Sequence, residues 1–278
     1  MGTKGQSLHE KAHMTKGKLT LLCMTIPSIL FILVFSYFPI SGWIYSFFDY
    51  RIGYKLSKCE FVGLDNFIYA FGDPYIITVI LNTLIISVLG LLGLPLAGMI
   101  AILLSEVRGK KFKKTVQTVS YLPHFLSAVI VCGMIRTLTS VDGGLVNAIV
   151  TAFGGEAIPF LGQPEWFRSI YTISEVWQSI GWESIVFIAA MTSIDKELYE
   201  AAMVDGAGVL RRMVSITIPG IMPVITIMLI LRVGSILNLG YEKVLLLYSP
   251  QIYSTADIIS TYVYREGVVN QNYSFAAA

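Results

Sequence analysis

Five long apolar blocks separated by short polar connections set the pattern of the chain. They run from about Leu19 to Phe48, Tyr75 to Leu104, Thr118 to Leu138, Ser169 to Thr192 and Ile216 to Gly240. Each is long enough to cross a hydrocarbon core, which takes about 20 residues of helix. An unpaired backbone amide in hydrocarbon costs several kcal/mol, so each block is expected to satisfy its own hydrogen bonds as an α-helix. The pattern therefore predicts an all-α, polytopic membrane helical bundle with five spans. Pro27, Pro39, Pro95 and Pro223 mark the expected kinks. Beyond Gly240 a polar, aromatic-rich segment leads to Ser274-Phe275-Ala276-Ala277-Ala278, which reads as the start of another apolar helix, so a sixth span is expected past the last residue. The expected organisation is a tail over 1–18 and a transmembrane domain over 19–278, its core at about 75–278. No internal repeat, low-complexity run or soluble domain is visible.

Composition agrees with lipid as the solvent. Only 14% of the 278 residues are charged and 55% are hydrophobic, against about 25% charged in ordinary soluble domains, and the mean hydropathy is +0.69. A net charge of +2 without a basic stripe excludes nucleic acid as a partner. The basic residues set topology instead. Lys4, Lys11, Lys16, Lys18, Arg108, Lys110, Lys111, Lys113, Lys114, Lys196, Arg211 and Arg212 fall in the tail and the even-numbered loops, twelve in all, against six on the other side (Arg51, Lys55, Lys58, Arg168, Lys243 and Arg265). The positive-inside rule puts the N-terminus and the even loops in the cytoplasm. The first block is long enough to stay as an anchor and lacks the cleavage site of a signal peptide. Cys23, Cys59 and Cys132 have no CxxC spacing; Cys23 and Cys132 lie in apolar blocks and read as small buried hydrophobes.

The loop between the fourth and fifth blocks, 193–219, carries the most informative pattern. Glu200-Ala201-Ala202-Met203-Val204-Asp205-Gly206 is followed, nine residues on, by Ile216-Thr217-Ile218-Pro219. Asp195, Glu197 and Glu200 load the start of a short helix with negative charge, favourable at the positive end of its dipole. Leu198, Ala201, Ala202 and Asp205 recur at helical spacing, so the two alanines allow another protein to approach closely. Gly206 supplies a sharp turn. The bland alternative is an ordinary amphipathic loop whose alanines reflect helix propensity alone.

This pattern resembles the EAA loop of binding-protein-dependent ABC importers: EAA, three residues, Gly, nine residues, then Ile-x-Leu-Pro. It departs only at Ile218, where the family usually has Leu. The stretch Phe61-Val62-Gly63-Leu64-Asp65-Asn66-Phe67, with Asp73-Pro74 and Asn82-Thr83, is similar to the approach to the second span of sugar-type, maltose-type permeases. Tyr241-Glu242 and the segment from Ile258 through Arg265 to Ser274-Phe275 resemble the polygalacturonan-type oligosaccharide subgroup. The resemblance implies a type I ABC importer transmembrane fold in a bacterial inner membrane, and a permease that takes a sugar or oligosaccharide from an extracytoplasmic binding protein. It implies a second permease subunit and two cytoplasmic ATPases as partners, with Glu200, Ala201, Ala202, Asp205, Gly206, Ile216 and Pro219 coupling them to alternating access. No GxxxxGK[ST] phosphate loop occurs, since Gly17-Lys18 and Gly109-Lys110 both lack the earlier glycine. ATP and magnesium are thus expected on the ATPase, with no cofactor, catalytic residue or metal in this chain.

Polar groups inside apolar blocks mark a cavity or a pair. Glu175, Trp177, Gln178, Trp182 and Glu183 give the fourth block a polar, aromatic character suited to stacking on sugar rings, and with Asn82, Tyr241 and Glu242 they form the expected substrate path. The alternative assigns the tryptophans to an interfacial belt, Asn82 to an interhelical hydrogen bond and Glu183 to a pair with Arg232. Competing functions are a carrier or channel working without ATP, and a metalloprotease resting on His9-Glu10-Lys11-Ala12-His13, an HExxH match. That match lies in a polar tail with His124 the one other histidine, and reads as a solvated segment.

Overall fold

A computed structural model describes residues 16–107 and 109–278. The HExxH match at His9–His13, most of the basic tail and Arg108 lie outside the described residues. The described chain divides into two compact units, one holding the residues up to Ala70 with Glu266–Ala278, the other Phe71–Arg265.

In the first unit, helix α1 (Lys16–Ile32) runs on through a π turn, Leu33–Tyr37, and a 3-10 stretch, Phe38–Phe47. Pro27 sits inside α1, whereas Pro39 stands two residues after the end of the π turn. A proline ring clashes with the carbonyl four residues back, and a wider turn relieves that clash. Strands β1 (Phe48–Asp49) and β2 (Glu60–Phe61) pair antiparallel, Phe48 opposite Phe61, ahead of helix α2 (Asp65–Gly72). A last short helix, Tyr273–Ala277, returns here: Tyr50 N–H donates to Ser274 Oγ at 2.8 Å and Phe275 meets Tyr69 edge-on. Within the apolar stretch Thr20–Phe47 only Ser46 is buried by the rest of the chain. Cys23, expected to be buried, is therefore exposed, while Cys132 is buried as expected.

In the second unit, α3 (Pro74–Gly90) and α4 (Gly93–Glu106) join across Leu91–Leu92 into a 33-residue apolar span with Pro95 in the first turn of α4. Next come α5 (Lys110–Tyr121), α6 (Ala128–Thr139) and the short α7 (Leu145–Ala152). Helix α8 (Pro164–Thr192) is the longest, at 29 residues. Helices α9 (Lys196–Val204), α10 (Val209–Arg212) and α11 (Ile218–Gly234) follow, then three short ones: α12 (Tyr241–Leu247), α13 (Tyr253–Ala256) and α14 (Ile259–Tyr264). One buried cluster joins Ile86, Phe167 and Tyr171 to Val244, Ile252 and Ile258, seating α12 to α14 on α3 and α8. A second joins Leu94, Ala97 and Ala101 of α4 to Phe187 and Ile221.

Of the five expected spans, three stretches of the described chain are by length and composition alone long and apolar enough to cross a membrane, Thr20–Phe47, Pro74–Glu106 and Val209–Gly234, and a bent pair of helices makes a fourth if it counts as one span. The third expected span is two helical pieces, Lys110–Phe125 and Ala128–Thr139, bent by 101°. Pro123 stands at the break, and Ser127 caps α6 by accepting from Ile130 N–H. The fourth expected span is α8, one unbroken helix whose charges, Arg168, Glu175 and Glu183 among them, lower its apolar character.

Candidate functional site

The loop after α8 is built from local rules. Asp195 caps α9, its carboxylate accepting the Glu197 N–H at 3.0 Å. The far end closes as a Schellman motif: Ala207 N–H reaches Ala202 O at 2.8 Å and Gly206 N–H reaches Met203 O at 3.1 Å. Such a motif needs a left-handed residue after the cap, and Gly206 has φ +77°. The spacing from Glu200-Ala201-Ala202 to Gly206 is thus the distance from the last helical turn to its terminator. Chain then re-enters helix at α10 and widens into a π turn, Met213–Thr217, just before Pro219. As at Pro39, the wide turn keeps the proline ring clear of the carbonyl four residues back.

The structure places Glu200, Ala201 and Ala202 on α9, Asp205 and Gly206 at its terminus, Ile216 in the π turn and Pro219 in the first turn of α11. Ala201 is exposed, and Val204 is 88% exposed, with Leu198, Met203 and Leu210 also presenting apolar surface. A contact not anticipated from sequence joins the two halves of the loop: Tyr199 Oη lies 2.9 Å from Thr217 Oγ1. Its signal was a tyrosine beside the EAA triplet and a threonine within the Ile-x-x-Pro segment. Through this bond α9 is tied to the base of α11.

Along α8 the polar residues meet partners from several elements. Glu183, only 8% exposed, pairs with Arg232 of α11 as expected for charges at this depth, and its Oε2 has no hydrogen bond among the described residues. Lys243 Nζ reaches Glu175 Oε2 at 3.0 Å and Gln178 Oε1 at 3.2 Å. Gln178 donates to Leu126 O at 2.8 Å, satisfying a carbonyl freed where the helix breaks. Trp182, 44% exposed, stacks on His124 with centroids 4.7 Å apart and planes 3° from parallel, and Phe125 meets it edge-on. His124 and Phe125 were not singled out from sequence; the bend that brings them to Trp182 is a tertiary feature. Trp177 is exposed without a ring partner among the described contacts. A cavity of about 110 Å³ lies beside these groups, lined by Tyr171, Thr172, Glu175, Arg232, Ser235 and Asn238 among others.

Asn82 serves a different network. Its Nδ2 donates to the carbonyls of Ser254 and Asp257, each at 3.1 Å, and its Oδ1 accepts from Arg168 at 2.7 Å. Asp257, fully buried, accepts from Arg265 at 2.5 Å, Tyr75 Oη at 2.7 Å and Thr261 Oγ1 at 2.7 Å. Burial works against the Arg265 charge, but the bond and charge of Asp257 outweigh it and raise the guanidinium pKa above its ordinary value. This network latches α13 and α14 onto α3 and α8. Tyr241, its ring 6.0 Å from that of Tyr264, and Glu242 are exposed at the start of α12. Among the described residues no three of His, Cys, Asp and Glu gather in a metal-binding group.

Residues 93–268 match the family model of the binding-protein-dependent transport system inner membrane component. The chain belongs to this family. It is accordingly a membrane permease component, with the ABC importer transmembrane fold expected from the EAA loop. It is 42% identical over 259 residues to the polygalacturonan/rhamnogalacturonan transport system permease protein YteP of Bacillus subtilis, covering 93% of this chain and 81% of that protein. It is 39% identical to protein LplB of the same organism over 277 residues, 99% of this chain and 87% of LplB. Among solved structures, a chain of a bacterial ABC transporter involved in import of the acidic polysaccharide alginate superposes with a TM-score of 0.86 at 41% identity, covering 94% of this chain and 88% of that one.

Proposed function

We propose that this permease subunit imports an oligosaccharide by alternating access, with a second permease subunit beside it and two cytoplasmic ATPases that bind ATP and magnesium. One observation carries the reading: an exposed helix, α9, ended by a left-handed glycine and bonded through Tyr199 to Thr217 at the base of a membrane span. A partner gripping Ala201 and Ala202 pulls on Thr217 and hence on α11, whose Arg232 holds Glu183 of α8. Motion at the loop thereby reaches the polar face where substrate passes. Glu200, Asp205, Gly206, Ile216 and Pro219 shape that lever, and the N-terminus lies on its cytoplasmic side.

Substrate class rests on likeness and on chemistry. One relative is named for polygalacturonan and rhamnogalacturonan, and one solved relative is in complex with a periplasmic protein holding an alginate pentasaccharide. An extracytoplasmic binding protein of that kind delivers the sugar here. The path runs along Glu175, Trp177, Gln178, Trp182 and Glu183, where Trp182 offers a ring face and the carboxylates and amide offer hydrogen bonds. Tyr241 and Glu242 stand at its outer end, and Asn82 holds the outer segment in place.

Cysteine introduced at Ala201 or Ala202 in the complete transporter tests the coupling role. Crosslinking to an ATPase subunit is expected, responsive to ATP; labelling of either position from outside the cell would refute it. The broken span favours one rival, a carrier with discontinuous helices, and uptake by this chain alone, without ATP, would establish that rival.

A further inference from the structure

The cavity of about 110 Å³ beside α8 is walled by apolar Ile86 and Leu91 and by the polar groups of Thr172, Glu175, Arg232 and Asn238. We propose that it takes one uncharged sugar residue of the carried oligosaccharide and discriminates against a uronate, an inference that rests on the import reading above. At about 10–15 Å³ for each water, the cavity has room for about eight water-sized groups, the bulk of about one monosaccharide residue.

Charge is what decides the class. Glu175 and Arg232 are the charged side chains of the wall, and each is already matched. Lys243 Nζ, on a residue only 5% exposed, lies 3.0 Å from Glu175 Oε2, and Arg232 pairs with Glu183. The four charges sum to zero, so no cation is left over for a ligand's carboxylate. The pairing still leaves hydrogen-bonding capacity on the wall. Among the described residues Thr172 Oγ1 is buried without a partner, Glu175 Oε1 accepts nothing and the Asn238 side-chain amide makes no hydrogen bond. A sugar hydroxyl both donates and accepts, so a ring of hydroxyls can satisfy a carboxylate oxygen, a hydroxyl and an amide without adding charge. A uronate would bring a fifth charge without a counter-ion, beside a carboxylate that repels it, and an unmatched charge among spanning helices is costly. Drawing Arg232 away to serve it would leave Glu183, 8% exposed, buried and unpaired.

The test is uptake by the assembled transporter in proteoliposomes. Its binding protein is saturated in turn with a galacturonic acid trisaccharide and with the full methyl ester of that trisaccharide, which keeps the backbone and removes the charge. The ester is expected to enter about tenfold faster or more, the discrimination that one unmatched charge imposes. Asn238→Lys adds a cation to the wall at an exposed position and should bring the two rates toward parity. The binding protein is the same throughout, so that change reads the permease alone. Ser235→Lys, also exposed and in the wall, stands in if Asn238→Lys fails to assemble. Acid entering as fast as ester, or a gap that the lysine leaves unmoved, would overturn the proposal. Uptake of either sugar without ATP would instead refute the import reading, whatever the ratio.

Discussion

Gly206 offers a direct way to separate backbone shape from side-chain bulk in the loop. Its φ of +77° places it in the left-handed region, and a Cβ built there meets nothing within 4 Å. A side chain at this position therefore costs conformation and no clash. For an L-residue that cost is about 1–2 kcal/mol, a factor of about 5–30 in the population of the turn. Gly206→Ala should weaken substrate-stimulated ATP hydrolysis by a factor in that range. Gly206→Asn should come close to the glycine, because asparagine visits the left-handed region readily, and Gly206→Val should be the worst of the three because β-branching disfavours it most. The assay is ATP hydrolysis and uptake by the reconstituted transporter, with membrane insertion measured in parallel and expected unchanged. Coupling by Gly206→Val equal to that of the unaltered protein would refute the role of the turn. Asparagine as damaging as valine would show that bulk, and not backbone, matters.

Two further perturbations probe the latch and the path. Asp257→Ala leaves the Arg265 guanidinium buried without its carboxylate and should destabilise the protein by about 3–5 kcal/mol; Asp257→Ala with Arg265→Met should recover most of it, and a single-variant thermal shift worth under about 1 kcal/mol would contradict the account. Trp182→Ala removes a stacked pair worth about 0.5–1.5 kcal/mol and should lower uptake more than it lowers assembly, as should Trp177→Ala. Equal loss of uptake and assembly would assign these rings to packing.

The division between what was legible and what was not follows from the range of the forces involved. Apolar blocks, the start of α9 at Asp195 and its end at Gly206 depend on residues within one or two helical turns, so they can be read directly. The pairing of Glu183 with Arg232 was legible too, because charges at that depth have few available partners. The 101° bend was not: Pro123 inside an apolar block is compatible with a kinked single span, and only Gln178, 52 residues away from Leu126, supplies the donor that makes the open break tolerable.

The chain's own residues determined that it is helical, that it lies in lipid and where helix α9 begins and ends, because those properties arise from local hydrogen bonding and from apolar length. Tertiary structure alone decided which polar groups meet. Asn82 went to the network that holds α13 and α14, His124 came under Trp182, and Tyr199 reached Thr217. The first two depend on distances between elements far apart in sequence and the third on how the loop folds back, which packing fixes and periodicity does not record.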